Sequence, residues 1–225
     1  MSEEEELPIK VVLLGETAVG KSCLISRFVT DKFITNHVST MTCSFFSKVV
    51  FYDKVNKKIK YEIWDTAGQE RYRSMNKMIY KDASVVLLVL DITRKETFEA
   101  IKNYWYKEVK ENAPDNIVYA LAANKCDLYE YEEVTFQELE EYALSINAIY
   151  KQTSALQNNG IKELFDFIGY KLLAPQNFDV FIRKTSSKKY IRLNSGEKKN
   201  SSEKNENNEK NEKNNKAVDK KKSCC

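Results

Sequence analysis

Apolar residues along this chain fall into two rhythms that take turns. Unbroken apolar runs, IKVVLLG at 9–15, VVLLVLD at 85–91, IVYALAAN at 117–124 and a shorter AIYKQTS at 148–154, are rich in β-branched residues and read as buried strands. CSFFSKVVFYD (43–53) and KKIKYEIWD (57–65), separated by the polar KVN, read as an antiparallel pair. Between and after these runs the apolar positions fall at three- and four-residue spacing. This predicts helices over 21–30, ETFEAIKNYWYKEVKEN (96–112), TFQELEEYALSIN (135–147) and GIKELFDFIGYKLL (160–173). In the second of these helices Trp105 reads as core-facing, with Tyr104 and Tyr106 as surface aromatics beside it.

Strands alternating with helices predict an α/β fold with a mostly parallel sheet covered on both faces. Ligands of such sheets sit at the carboxyl ends of the strands. The helical rhythm fades near residue 186. NSGEKKNSSEKNENNEKNEKNNK has almost nothing to bury, so the chain is expected to be a flexible acidic start (1–7), one domain (8–175) and a largely disordered tail (176–225). A tail of that kind reaches ~35–40 Å, about a domain diameter. No run is long enough to span a bilayer, and MSEEEELP is acidic where a secretory leader needs positive charge.

Charge sharpens this division. From residue 180 onward there are 14 basic and 6 acidic residues, against 22 basic and 27 acidic before it. An acidic body with a basic tail argues against nucleic-acid binding by the body. Five scattered cysteines suggest no disulfide framework, and Cys23, Cys43 and Cys126 are expected as reduced thiols.

The candidate chemistry lies at four strand ends. GETAVGKS (15–22) fits G-x-x-x-x-G-K-[ST] in the context the motif requires, after a strand and opening a helix. Backbone N–H groups from Gly15 through Thr17, Ala18, Val19 and Gly20 to Cys23 would cradle phosphates at a helix N-terminus. Lys21 would reach the β- and γ-phosphates, and the Ser22 hydroxyl would ligate Mg²⁺. WDTAGQE (64–70) follows by one hairpin. There Asp65 can hold the metal's shell, Gly68 can approach the γ-phosphate without a side chain, and Gln69 stands where a water needs orienting. NKCD (124–127) ends the next-to-last strand with Asn124, Lys125 and Asp127. The Asp127 carboxylate suits the N1–H and 2-amino donors of guanine, which adenine lacks, and the Lys125 stem can lie along the purine. TSAL (153–156) follows the last strand, where the backbone of Ser154, Ala155 and Leu156 can meet guanine O6.

Together these four segments resemble the small GTPases of the Ras superfamily over residues 8–173. YEIWDTAGQERYRS and the paired terminal cysteines are similar to the Rab branch. GETAVGKS, KYEIWDTAGQERY, DNIVYAL and VTFQELEEYA are similar to its endosomal subgroup. The resemblance implies the small G-protein form of the P-loop fold: a six-stranded, mostly parallel sheet with one antiparallel edge strand. It implies a GTP/GDP switch with Mg²⁺ held by Ser22, Thr40 and Asp65, and Phe33 covering the guanine. Loops 31–44 and 66–82 would be ordered by the γ-phosphate. Expected partners are an exchange factor, a GTPase-activating protein, a GDP-dissociation inhibitor or escort protein, and effectors. The expected form is a monomer at the cytoplasmic face of endosomal or other vesicle membranes, with a cytosolic pool.

The chain departs from that pattern in places. Thr42 stands where switch I has glycine, Ile79 where effectors often read a third aromatic beside Phe45 and Trp64, and Leu156 where the family has lysine. Thr17 occupies a position where glycine favours fast hydrolysis, so unassisted turnover is expected to be slow. That also sustains a rival reading, a GTP-binding scaffold switched by exchange alone, and Asp127 argues against an ATPase. His37 is the sole histidine, in an expected loop, where an exposed histidine is usually incidental. No arginine stands out as an internal finger. Cys224 and Cys225 follow Lys220–Lys222; with lysine at position 222 there is no C-a-a-X signal, and the pair resembles a double geranylgeranylation site. Two lipid chains anchor stably where one binds marginally.

Overall fold

In the computed structural model residues 6–33, 40, 43–68 and 79–179 are described. Six strands form one sheet in the order β2-β3-β1-β4-β5-β6: β1 Glu6–Leu14, β2 Cys43–Tyr52, β3 Lys57–Thr66, β4 Val85–Asp91, β5 Val118–Asn124 and β6 Ile149–Gln152. Only the edge strand β2 runs antiparallel, pairing with β3 so that Phe45 faces Trp64. The other four pairings are parallel. This is the mixed sheet expected from the alternation of runs.

Why the runs lack polar gaps is visible in β4, where all seven residues are buried. A strand in the middle of a parallel sheet has helices on both faces and no solvent side. One core layer gathers Val11 and Leu13 of β1, Leu24, Ile25 and Phe28 of α1 (Lys21–Thr30), and Leu164, Phe165 and Ile168 of α5 (Ile161–Leu173). The opposite layer gathers Val12, Val86 and Leu88 with Phe98, Ile101, Trp105 and Val109, and with Leu139 and Ala143 of α4 (Phe136–Ser145). Helix α4 begins where its sequence says it should. Thr135 accepts the Glu138 N–H while the Glu138 carboxylate accepts from Thr135, a reciprocal cap.

The helix expected over 96–112 runs as α2 (Lys95–Ala100), a π-helical turn (Ile101–Trp105) and α3 (Tyr106–Asn112). Trp105 faces the core as its spacing predicts. Its neighbours Tyr104 and Tyr106 are not surface residues but half-buried ones, edge-on to Trp105 and Tyr119 respectively. At either end the packing passes the expected limits of 8–175: β1 begins at Glu6, and Phe178 is buried in the first core layer. Cysteines 23, 43 and 126 are free thiols, each raised in pKa by burial first of all. Among the described residues no helix is long and apolar enough to cross a membrane.

Candidate functional site

The carboxyl ends of β1, β3, β5 and β6 converge on a cavity of about 440 Å³, a ligand-sized space. Thr17, Ala18, Gly20, Lys21, Ser22 and Cys23 line one end, and Asn124, Lys125, Asp127, Ala155 and Leu156 the other. Phe33, Thr40 and Gly68 also line it. Gln69, His37 and Thr42 lie outside the described residues.

The loop between β1 and α1 winds through left-handed residues at Ala18 (φ 63°) and Gly20 (φ 95°). Alternation of this kind turns successive N–H groups to one side, the geometry of an anion nest. Gly20 is required on space as well as angle, since a Cβ there would stand 2.4 Å from the Asn124 amide nitrogen. Val19 is buried in the core and does not line the cavity. Its carbonyl accepts from Asn124 Nδ2 at 2.8 Å, so what it can offer a ligand is its N–H. Gly15 likewise shapes the wall, as its carbonyl accepts from Lys21.

Lys21 Nζ donates to the carbonyls of Gly15 and Glu16, both at 2.9 Å. Burial lowers its pKa to about 8, although the carboxylates of Asp65 and Glu16 pull the other way. A Cβ on Gly68 would stand 2.6 Å from Lys21 Nζ and from the Glu16 carbonyl oxygen, so the third strand's loop meets the phosphate loop only because residue 68 has no side chain.

Three oxygen ligands gather beside it. Ser22 Oγ lies 2.8 Å from Thr40 Oγ1 and donates to the carboxylate of the fully buried Asp65. Thr40 Oγ1 also reaches Asp65 Oδ2, at 3.4 Å. Hydroxyl and carboxylate oxygens without sulfur or nitrogen are the donor set a hard divalent cation takes, and this one fits Mg²⁺.

At the other end Ser154 Oγ donates to Asp127 Oδ1 at 2.5 Å and accepts the Gln157 N–H, which fixes the carboxylate's direction. Ser154 thus orients Asp127 from behind and is not itself a wall residue. Asn124 lines the cavity and is itself held, on one side by the Val19 carbonyl and on the other by the Thr153 hydroxyl at 3.2 Å.

Composition and spacing gave no account of several participants. Asp91, the buried last residue of β4, meets Lys125 Nζ at 2.5 Å and accepts from the Thr93 N–H and hydroxyl. Burial pushes its pKa up, but these hydrogen bonds outweigh burial and hold it below the ordinary carboxylate value. An arginine does reach the phosphate loop: Arg94 donates to the Thr17 carbonyl at 2.9 Å while its Nε lies 3.3 Å from Asp91. Those bonds commit its guanidinium to the loop's backbone and to Asp91. On the far side of the loop, the Trp105 indole N–H donates to the Glu16 carboxylate at 3.1 Å. An acidic residue closing a buried strand was a signal for Asp91. The arginine had none.

The Ras family profile matches residues 10–174. Human Ras-related protein Rab-22A is 47% identical over 157 residues, covering 70% of this chain and 79% of its own. Mouse Ras-related protein Rab-31 is 45% identical over 170 residues, covering 75% and 86%. The chain belongs to the Ras family. Its place within that family is the Rab branch, in the endosomal subgroup to which its motifs were similar. It is a GTPase of vesicle traffic, from a family that binds guanine nucleotide.

Seen as a Rab GTPase, the chain's outer face also acquires meaning. Phe45 is 54% exposed and edge-on to Trp64 at 5.4 Å, whereas Ile79 packs against the second core layer. Trp64 packs against that same layer and is half-buried like Ile79, so of the three positions Phe45 alone is exposed.

Proposed function

We propose that this Rab GTPase is a membrane-anchored switch that binds Mg²⁺·GTP in the cavity, hydrolyses it slowly unaided and retains GDP. The observation that carries the reading is the gathering of Lys21, the Ser22–Thr40–Asp65 oxygens and the Asp127 carboxylate around one cavity. In the nucleotide-bound state Lys21 exchanges its loop carbonyls for phosphate oxygens, and N–H groups from Gly15 to Cys23 surround the phosphates. Ser22, Thr40 and Asp65 hold Mg²⁺, which when bound supplies positive charge at the phosphates. Phe33 covers the base, Lys125 lies along it, Asp127 accepts from N1–H and the 2-amino group, and the Ala155–Leu156 backbone meets O6. Gln69 orients a water for in-line attack on the γ-phosphorus. The new P–O bond forms as the bridging P–O bond breaks, GDP departs with that electron pair, and the proton the water gives up passes to a phosphate oxygen or to solvent.

The domain that ends with the buried Phe178 carries this chemistry, and the chain beyond residue 179 acts as a tether. Cys224 and Cys225 take two geranylgeranyl groups, and the lysines before them add about 1 kcal/mol each at an anionic surface. The site of action is the cytoplasmic face of endosomes, with a cytosolic pool carried by a GDP-dissociation inhibitor. An exchange factor, an activating protein and effectors read the loops around 31–44 and 66–82. An activating protein supplies the positive charge that Arg94 does not, for an acceleration on the order of 10³–10⁵.

Phosphate release by the full chain tests the catalytic reading. With GTP and Mg²⁺, slow release is expected, unaffected by a large excess of ATP and abolished by a chelator. Competition by ATP overturns the base assignment. Stable GTP binding with no release, even with an activating protein, supports the rival scaffold reading, which the exposed Thr17 beside the cavity favours.

A further inference from the structure

Arg27, in the last turn of α1, does not line the cavity, yet its guanidinium joins two segments that do. Nε donates to the Ala155 carbonyl at 3.0 Å and Nη2 to the Leu156 carbonyl at 3.1 Å. Nη1 donates to the carbonyl of Asp31 at 2.8 Å, and the N–H of Asp31 returns to the Arg27 carbonyl at 3.0 Å. Asp31 is the left-handed residue that ends α1, so Arg27 holds the point from which the chain leaves toward Phe33. The Phe33 ring centroid lies 5.9 Å from the guanidinium carbon. A second bond runs in parallel: Asn158 Nδ2 donates to the Asp31 carboxylate at 2.8 Å.

We propose that Arg27 is a positioning residue for the base: it sets the gap between Phe33, which covers the ring, and Ala155, whose N–H meets O6. The inference rests on the guanine reading of the cavity. Its chemistry is specific to arginine. Three carbonyls in three directions need a planar fork with several fixed donors, and a lysine's point charge serves one or two. Displacing Asp31 or Phe33 pulls on the same guanidinium that holds the Ala155 and Leu156 carbonyls. Release of the base therefore requires both grips to loosen together.

The test measures nucleotide release from the full-length protein carrying Arg27→Ala or Arg27→Lys, using a ribose-labelled fluorescent GDP. In parallel it uses 2-aminopurine riboside diphosphate, itself fluorescent, which has no O6. Loss of two or three modest hydrogen bonds corresponds to GDP release faster by about tenfold or more in Arg27→Ala. Arg27→Lys is expected to recover only part of that. Release of the 2-aminopurine nucleotide, which has no O6 contact to lose but is still covered by Phe33, is expected to quicken by only a fraction of the GDP effect. Unchanged GDP release in Arg27→Ala, full recovery by lysine, or equal acceleration of both nucleotides overturns the proposal; the last would mark a merely structural arginine. Failure of the parent protein to hold GDP would instead overturn the guanine reading.

Discussion

The side-chain amide nitrogen of Asn124 stands 2.8 Å from the carbonyl oxygen of Val19, so the residue that ends β5 grips the phosphate loop by its backbone. The same side chain accepts from the Thr153 hydroxyl at the end of β6. One buried amide thus fixes the two ends of the cavity relative to each other, and Gly20 is glycine because that amide occupies the space beside it.

Asn124→Ala removes both bonds and leaves the Val19 carbonyl and the Thr153 hydroxyl without this partner in a buried place. The expected loss is about 2–3 kcal/mol in denaturant unfolding, with faster GDP release. An unfolding midpoint within error of the parent would contradict this role.

Lys21 ties affinity to pH. Its pKa in the folded, nucleotide-free chain is about 8, against 10.5 for an ordinary lysine. Between those values the unfolded chain binds more protons, so the nucleotide-free fold gains stability as pH rises from about 8 toward 10.5. Over the same range the ammonium that phosphates need is disappearing, and GDP association should slow. Melting temperature and association rate measured on nucleotide-free protein should move in opposite directions; a parallel decline would mean that Lys21 is not the titrating group.

Thr17 lines the cavity through a solvent-exposed position while its carbonyl is held by Arg94. Thr17→Gly keeps that carbonyl and removes the branched side chain beside the phosphates. Single-turnover hydrolysis without an activating protein should quicken by about three- to tenfold, roughly 1 kcal/mol off the barrier. No acceleration would clear Thr17 of slowing the reaction.

Cys224 and Cys225 lie outside the described residues, so their role rests on sequence. An N-terminally tagged full-length chain should mark discrete vesicles, and Cys224→Ser/Cys225→Ser should disperse it through the cytosol. Equal distributions of the two would leave the membrane held by something else.

What the sequence disclosed and what it hid follow from range. β4 was legible because a strand covered on both faces has no polar gaps, and Lys21, Ser22, Asp65 and Asp127 because each lies at a fixed distance from a strand end. Arg27 was not, because its partners Ala155 and Leu156 stand 128 and 129 residues away and are backbone carbonyls, which any residue supplies. Val19 and Ser154 lie beside the cavity without lining it, and pattern alone did not separate residues that face the cavity from those that hold its walls. The π-helical turn before Tyr106 was also silent, since its apolar spacing of three and four residues is that of an ordinary helix.

The most direct test of the account is base preference in Asp127→Asn. In the proposed complex the parent carboxylate accepts from guanine N1–H and the 2-amino group. An amide in its place offers a donor that suits the 2-oxo group of xanthine. Titration of the full chain should show GDP affinity falling on the order of 10²-fold or more, with xanthosine diphosphate overtaking it. An Asp127→Asn protein that still prefers GDP as strongly as its parent would contradict the assignment of this cavity to guanine.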